Sequence, residues 1–178
     1  MSSRIDVDEI RSKTTNGNLV LSPNGTGYLA PKRVPAFHAY NAGSQTLSNA
    51  AWGKVTLNST VFDTTSDWDT SNSHFVVPVA GIYSFTTCIN WTTNSASGGY
   101  MYSKITRYRS GSGIDYHTTG YKLDATSMLA DTQINGTVLI DCEANDQVEM
   151  RAYLHVSSGS PVLRAGRYYF CGHLVGAT

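Results

Sequence analysis

Charged residues are scarce in this sequence. Lys, Arg, Asp and Glu make up 15% of its 178 residues, whereas soluble domains usually carry about 25%. Thirteen basic residues balance thirteen acidic ones, so no net charge attracts the chain to nucleic acid or to an anionic membrane. Long apolar runs are lacking too, and none approaches the roughly 20 residues that a membrane-spanning helix needs. We therefore expect no nucleic-acid partner and no membrane insertion.

Cysteine is rare as well, and its count is odd. A complete disulfide framework cannot be built from Cys88, Cys142 and Cys171, so we expect reduced, buried thiols. The N-terminal sequence MSSRIDVDEIRSKTTNG has no apolar segment of the kind that a secretory signal requires. Both absences favour synthesis and folding in a cytosol.

Several signatures of catalytic sites are missing. The sequence contains no Gly-x-Ser-x-Gly elbow, no phosphate-binding glycine loop and no His-Glu-x-x-His pattern, so we expect no enzymatic activity and no cofactor. The stretch DTTSDWDTS brings Asp63, Asp67 and Asp69 close together, and clustered carboxylates are weak candidates for binding calcium. Because this stretch lacks the glycine and the distal glutamate of an EF-hand loop, a solvated polar loop is the favoured interpretation.

Residues 34–178 form a series of short alternating segments separated by turn residues. In GIYSFTTCINW, Tyr83 and Phe85 point to one face while Ser84 and Thr86 point to the other, as in a strand with one buried face. No helical period of useful length occurs. We predict strands over residues 36–42, 53–63, 74–79, 81–91, 100–109, 114–123, 132–141, 147–156 and 166–176. About ten short antiparallel strands with regular turns indicate an all-β sandwich, jelly roll or barrel.

Residues 1–33 differ in character from the rest. Asn16-Gly17 and Asn24-Gly25 are strong turn signals, and a short apolar segment follows each, Val20-Leu21 and Tyr28-Leu29. Segments of this size bury too little apolar area to fold alone. We predict a separate β-rich stem or docking segment that other chains stabilise, with a disordered leader as the alternative.

Tyrosine is abundant. The sequence has eleven tyrosines, and several of them fall between Tyr100 and Tyr121. Tyrosine combines apolar area with a hydroxyl group, which suits protein interfaces and surfaces on which sugars stack. Its high preference for strands also accounts for many tyrosines in an all-β protein. The surplus favours a binding surface without locating it.

Three motifs, in order, resemble the globular head of the complement first-component q subunit, which shares its jelly roll with tumour necrosis factor. They are FDTTSDWDTSNSHFVVPVAGIYSFTT, ANDQVEMRAYL and YYFCGHLVG. The resemblance spans residues 35–176 and implies a trimeric jelly-roll head. In that fold a Pro-Val-x-Gly corner, here Pro78 to Gly81, leads into the long central strand. The collagen stalk of the complement proteins is missing, because no Gly-x-y repeat occurs.

The resemblance implies two functional surfaces. In trimers of this family the outward face of the last strand packs around the threefold axis, which makes Tyr169 and His173 candidate trimer contacts. The segments 92–99, 123–130 and 157–166 would form loops at the apex, opposite the stem, and binding residues commonly lie on such loops. The candidate receptor-binding residues in and beside them are Asn94, Tyr100, Asp124, Leu163 and Arg164.

The N-terminal sequence DEIRSKTTNGNLVLSPNGTG is similar to segments of bacteriophage tail fibres and other virion appendages. This similarity predicts a virion protein, assembled in the cytoplasm of a bacterial host, in which residues 1–33 contact other virion proteins. One possible function is attachment, in which a non-catalytic trimeric head binds a glycan or a protein on the host surface. The other is structural, as a head fibre, capsid decoration or tail adaptor protein that caps or cements the particle. Fold alone does not decide between them.

Overall fold

The structure, a computed structural model, describes residues 34–92, 99–123, 132–157 and 160–177. The chain divides into two units, Met1–Lys32 and Arg33–Thr178, and all the described residues lie in the second unit. Within the described residues, no helix is long and apolar enough to cross a membrane.

Every regular element of the described residues is a β-strand, as the alternating pattern predicts. Most predicted strands are confirmed, but the one predicted over residues 53–63 is two strands, because the chain leaves one sheet for the other after Lys54. Three strands of only two residues raise the total to thirteen. The strands are β1 Ala36–Tyr40, β2 Gln45–Thr46, β3 Ala51–Lys54, β4 Ser59–Asp63, β5 Trp68–Asp69, β6 His74–Val76, β7 Gly81–Thr92, β8 Gly99–Arg109, β9 Ser112–Leu123, β10 Thr132–Cys142, β11 Gln147–Val156, β12 Val162–Leu163 and β13 Tyr169–Ala177.

The strands form two antiparallel sheets that pack face to face as a jelly-roll sandwich. The first sheet has seven strands in the order β2-β12-β7-β13-β1-β4, with β10 paired to β7. The second sheet has six strands in the order β5-β6-β11-β8-β9, with β3 paired to β11. The long strand β7 is central to the first sheet because β10, β12 and β13 all pair with it.

Aromatic side chains from both sheets meet in the core. Phe37 of β1 stacks on Phe75 of β6 with their ring centroids 4.6 Å apart, and this contact joins the two sheets. Phe85 and Phe170 stack within the first sheet at 5.6 Å. Gly172 leaves room for these rings, since a Cβ there would lie 2.4 Å from Cδ1 of Phe85. Every second residue of β11 points into the core, and these buried residues are Val148, Met150, Ala152 and Leu154.

The Pro-Val-Ala-Gly segment is the corner at which the chain crosses between sheets. β6 belongs to the second sheet and ends at Val76, whereas β7 begins the central strand of the first sheet at Gly81. Pro78 therefore needs no ladder hydrogen bond. The Tyr83 hydroxyl donates to the Val79 carbonyl at 2.9 Å, which ties the corner to the strand that follows it.

Strand registers bring several strand ends together at one end of the sandwich. Gly99 of β8 lies opposite both Leu123 of β9 and Val156 of β11, and Trp91 of β7 lies opposite Thr132 of β10. The strand ends that flank segments 92–99, 123–130 and 157–166 therefore lie together. The opposite end holds the last residues of β13, where Ala177 pairs with Gly81.

Candidate binding surfaces

The outward face of the first sheet, here called the first-sheet face, is uncharged across three cross-strand rows. Its central row runs from Phe62 through His38, Cys171 and Thr86 to Thr137. None of the side chains in the three rows is Lys, Arg, Asp or Glu. The two flanking rows are Ala36, His173, Ser84 and Leu139 on one side, and Tyr40, Tyr169, Cys88 and Asn135 on the other.

Several side chains of the first-sheet face are apolar and exposed. Leu139 is 61% exposed and Phe62 is 47% exposed, and Val175 extends this surface along β13 at 58%. Burial lowers the pKa of His38 and raises the pKa of the Cys171 thiol, so both groups favour their neutral forms. A neutral sheet face with projecting apolar groups is suited to contact with another protein surface.

The outward face of the second sheet carries an open groove of about 440 Å³ lined by ring side chains, a volume within the range of about 300–1,000 Å³ that is usual for small-molecule sites. We call it the aromatic groove. Tyr100 and Tyr102 alternate along β8 with their rings nearly parallel, at 8° and a centroid distance of 6.3 Å. The ring centroid of Tyr153, on β11, lies 5.9 Å from that of Tyr102. The five lining residues are Trp52, Tyr100, Tyr102, His117 and Tyr153.

Cross-strand pairing brings the groove residues together from four strands. Trp52 of β3 lies opposite Tyr153 of β11, which lies opposite Tyr102 of β8. Tyr102 in turn lies opposite Gly120 of β9, and a Cβ at Gly120 would lie 2.2 Å from Cδ1 of Tyr102. The missing side chain at Gly120 therefore lets the Tyr102 ring lie across β9, a known way for an aromatic residue to cover a strand glycine.

Polar groups border the groove beside Trp52. The Lys104 ammonium lies 4.4 Å from the Trp52 ring centroid and forms an ion pair with Asp115 at 2.6 Å. Partial burial disfavours the charged form of Asp115, but hydrogen bonds from Lys104 and Thr106 outweigh this effect and lower its pKa. The carboxylate is therefore held in place as an ionised acceptor, and its side chain is still 43% exposed.

The candidate residues from the sequence are distributed over several environments. Tyr169 and His173 lie on the first-sheet face, as the strand alternation predicts. Tyr100 lies in the aromatic groove. The prediction that Leu163 contacts a receptor is wrong, because β12 pairs with β7 and packs the Leu163 side chain fully into the core.

The remaining loop candidates stay predictions. The backbone N–H of Arg164 donates to the Asn90 carbonyl at 2.9 Å, which holds the residue beside the end of β7. Asn94 and Asp124 lie outside the described residues.

The calcium candidates form turns. One carboxylate oxygen of Asp63 accepts a hydrogen bond from the backbone N–H of Ser66 and the other accepts one from Trp68, both at 2.9 Å. One carboxylate oxygen of Asp69 accepts hydrogen bonds from the backbone N–H groups of both Ser71 and Asn72. Among the residues that the structure describes, no three His, Cys, Asp or Glu side chains are grouped so that they could hold a metal ion.

Sequence reasoning missed most of the groove. The tyrosine surplus includes Tyr100 and Tyr102, and Tyr153 alternates with the buried residues Ala152 and Leu154 of β11. Trp52 and His117 carry no local signal, because only the registers of β3 and β9 bring them beside these tyrosines. An outward-facing aromatic residue on each of several adjacent strands is the pattern that could have indicated the groove.

The fold is the jelly roll of complement-type globular heads and tumour necrosis factor domains. The globular domain of zebrafish complement 1qA matches with a TM-score of 0.56 and 15% identity, over 82% of this chain and 100% of that domain. Eiger TNF from S. frugiperda matches with a TM-score of 0.54 and 12% identity, over 82% of this chain and 95% of its own. Murine APRIL matches with a TM-score of 0.56 and 11% identity, over 80% of this chain and 100% of its own.

Sequence comparisons give no such match. No protein-family model matches the chain, and no curated protein sequence matches it. The likeness therefore concerns the fold.

Proposed function

We propose that the protein is the non-catalytic head of a virion appendage, that it assembles as a homotrimer through the first-sheet face, and that it attaches the particle to a receptor on a bacterial host. The observation that carries the proposal is the first-sheet face itself. A lone chain exposes Phe62, Leu139 and Val175 on a surface with no charge in its three central rows. Packing this face against copies of itself removes apolar area from water at no cost in buried charge.

The likeness of residues 1–33 to phage fibre segments supports the virion setting. In this proposal residues 1–33 attach the head to other virion proteins. The described strand ends agree with a head that is attached at one end. Ala36 and Ala177 both lie in the half of the sandwich opposite the strand ends that flank segments 92–99 and 157–166. The other end is then free to face the host.

The aromatic groove favours attachment over a purely structural role. It lies on the second sheet, so it stays open when the first-sheet face is covered. A capping protein needs no open cluster of aromatic rings on its outer side, whereas a binding head does. Concave sites lined by aromatic side chains with a few polar groups are the usual form of a ligand-binding site.

The assembly is tested by light scattering on Leu139→Lys. We expect the unmodified protein to be a stable trimer at micromolar concentration and the variant to dissociate, since each trimer would bring three ammonium groups into an uncharged interface. Ile114→Lys is the matched control, because Ile114 is 48% exposed and lies on β9 of the second sheet. A monomeric unmodified protein would contradict the assembly.

Attachment is tested on cells. Fluorescently labelled head should bind susceptible bacteria and leave resistant bacteria of the same species unlabelled. Equal labelling of both, or labelling of neither by a folded trimer, would contradict host attachment and favour the structural alternative.

A further inference from the structure

The five side chains of the aromatic groove share a chemical character. Each combines a flat ring with a polar atom: three phenol hydroxyls, one indole N–H and one imidazole. The phenylalanines are placed elsewhere, since four of the five are in the core and Phe62 is on the first-sheet face. A groove made for a purely apolar ligand would not need a polar atom on every ring.

The rings of the groove are set at different inclinations to one another. Tyr100 and Tyr102 present two nearly parallel rings along one strand, and the Tyr153 ring is inclined to Tyr102 by 57°. Trp52 closes the other side, with its ring 5.6 Å from Tyr153 and 5.6 Å from His117. The arrangement offers a flat surface with raised neighbours, on which a rigid six-membered ring can lie.

Donors and acceptors stand beside these ring faces. Asp115 is a fixed, ionised acceptor for the Lys104 ammonium, which also lies over the Trp52 ring. The Lys122 ammonium lies 6.0 Å from the Tyr100 ring centroid and supplies a donor at the other end. Because each sugar hydroxyl both donates and accepts, a sugar requires donors and acceptors around a flat apolar surface.

The geometry points to a carbohydrate site: the aromatic groove binds a pyranose ring of a host-surface glycan, with the C–H face of the sugar stacked on Tyr102 and Trp52 and its hydroxyls directed to Asp115, Lys104 and the tyrosine hydroxyls. This inference rests on the proposed function, because it names the receptor class of the binding head. It also places the site on the outward face of the second sheet, where it begins at Tyr100, beside the first of the loop segments that the sequence favours.

Glycine at position 120 is part of this site. Any side chain there would overlap the Tyr102 ring, which lies where the Cβ would be. The strand itself is exposed at Gly120, so a small side chain can be accommodated by moving Tyr102 and leaving the core unchanged. Gly120→Ala thus changes the shape of the groove without removing any of its rings.

The test is a titration of the isolated protein with methyl pyranosides of glucose, galactose, mannose, N-acetylglucosamine and glucuronic acid. Trp68 and Trp91 are buried, so a change in tryptophan fluorescence reports on Trp52. We expect saturable, millimolar binding of at least one pyranoside, with saturation-transfer NMR signals from the protons of its C–H face.

Variants decide whether the groove is responsible. Trp52→Ala and Tyr102→Ala should each weaken binding about tenfold, the loss of one stacked ring, and Gly120→Ala should weaken it with all rings present. Tyr121→Ala is the matched control, since Tyr121 is an exposed tyrosine of β9 outside the groove. Binding that survives both ring deletions in folded protein would overturn the assignment.

Two other outcomes would also overturn it. One is the absence of any saturable signal with all five pyranosides. The other is binding of an oligoproline peptide in the groove with no pyranoside binding, because proline-rich segments also dock on aromatic grooves. Failure here is distinct from failure of the proposed function: a head that labels susceptible cells but binds no pyranoside attaches through another receptor class. A head that binds a pyranoside but labels no cells is a sugar-binding protein without a host-attachment role.

Discussion

At the scale of single residues, the absence of a side chain makes room for the core rings of the first sheet. Gly172 faces the core from β13, and a Cβ there would lie 2.4 Å from Cδ1 of Phe85 and 3.0 Å from Cε1 of Phe37. Both rings are fully buried, so neither can move without displacing others. Near the end of the same strand, an added Cβ at Gly176 would have no atom within 4 Å.

We therefore expect Gly172→Ala to lower the free energy of unfolding by about 2–3 kcal/mol, the usual cost of overpacking a core. Urea denaturation followed by circular dichroism measures this loss. Gly176→Ala on the same strand serves as the control and should change stability by less than about 0.5 kcal/mol. Equal effects of the two substitutions would show that strand propensity, and not ring contact, sets the cost.

Two buried tyrosines make the fold sensitive to alkali. Burial raises the pKa of Tyr83 to about 12 and that of Tyr168 to about 12, while both titrate near their ordinary value of about 10 in the unfolded chain. A raised folded pKa gives stability that is fully present below the unfolded pKa and is lost as pH rises through the folded pKa.

The melting temperature should therefore be nearly constant from about pH 7 to pH 9 and fall between about pH 10 and pH 12. Differential scanning calorimetry across this range measures the decline. Tyr83→Phe removes one ionisable group together with its hydrogen bond to Val79, so it should be less stable at neutral pH and decline less steeply. If the melting temperature of Tyr83→Phe fell with pH as steeply as that of the unmodified protein, groups other than Tyr83 would cause the loss of stability in alkali.

At the scale of elements, one carboxylate fixes the turn between β10 and β11. Asp146 is almost fully buried, and the Arg109 guanidinium of β8 donates to it at 2.8 Å. The N–H of Glu143 donates to the same carboxylate at 2.9 Å, while the Asp146 carbonyl accepts from Val77. The turn is thereby attached both to β8 and to the corner that leads into β7.

Asp146→Asn should cost about 3 kcal/mol, because it leaves the arginines beside it without their buried counter-charge. Burial disfavours the charged form of Asp146, but hydrogen bonds from Arg109 and Glu143 outweigh it and lower its pKa. A lowered folded pKa gives stability that is present above the unfolded pKa of about 4 and is lost as pH falls through the folded pKa.

Urea midpoints measured at neutral pH and in acid check both expectations. The unmodified protein should lose stability below about pH 4, and Asp146→Asn should lose less over the same range. Glu143→Gln is the control, since Glu143 also pairs with Arg109 but is 64% exposed, and an exposed pair of this kind contributes at most about 1 kcal/mol. If Glu143→Gln lowered the stability as much as Asp146→Asn, the buried Asp146 carboxylate would not be the group that holds the turn between β10 and β11.

The sequence predicts elements better than it predicts the site, for a physical reason. Alternation identifies the inward faces of β7 and β13 because burial imposes a period of two on each strand alone. Leu163 shows the limit of this local signal. Its segment reads as a loop, yet two residues of it pair with β7 and bury the side chain. The groove forms only when four strands pair in one particular register, and that register cannot be read from the sequence of any one strand.

At the scale of the whole molecule, a trimeric head would multiply a weak contact. Three linked copies of a shallow site bind a surface more strongly than one copy, often by a factor of about 10² or more. Leu139→Lys separates the affinity of a single groove from the affinity of the whole trimer, because it changes the first-sheet face and leaves the second sheet unaltered.

We expect Leu139→Lys to bind a free methyl pyranoside as the unmodified protein does, yet to bind cells about a hundredfold less tightly. Saturation-transfer NMR measures the first quantity and flow cytometry with labelled protein measures the second. Ile114→Lys should match the unmodified protein in both. Undiminished cell binding by a monomeric variant would mean that a single copy suffices.

The two outward faces of the sandwich point in opposite directions, and this has a consequence for how such a head meets its target. In the proposed trimer, with the first-sheet faces at the centre, the three grooves would face sideways, at right angles to the direction in which the particle approaches. A polysaccharide chain would bind along the side of the head. Binding would therefore begin only after the head has entered the polysaccharide layer of the cell surface. The thickness of the polysaccharide layer and the spacing of its chains, as well as the identity of its sugars, would then decide which cells are bound.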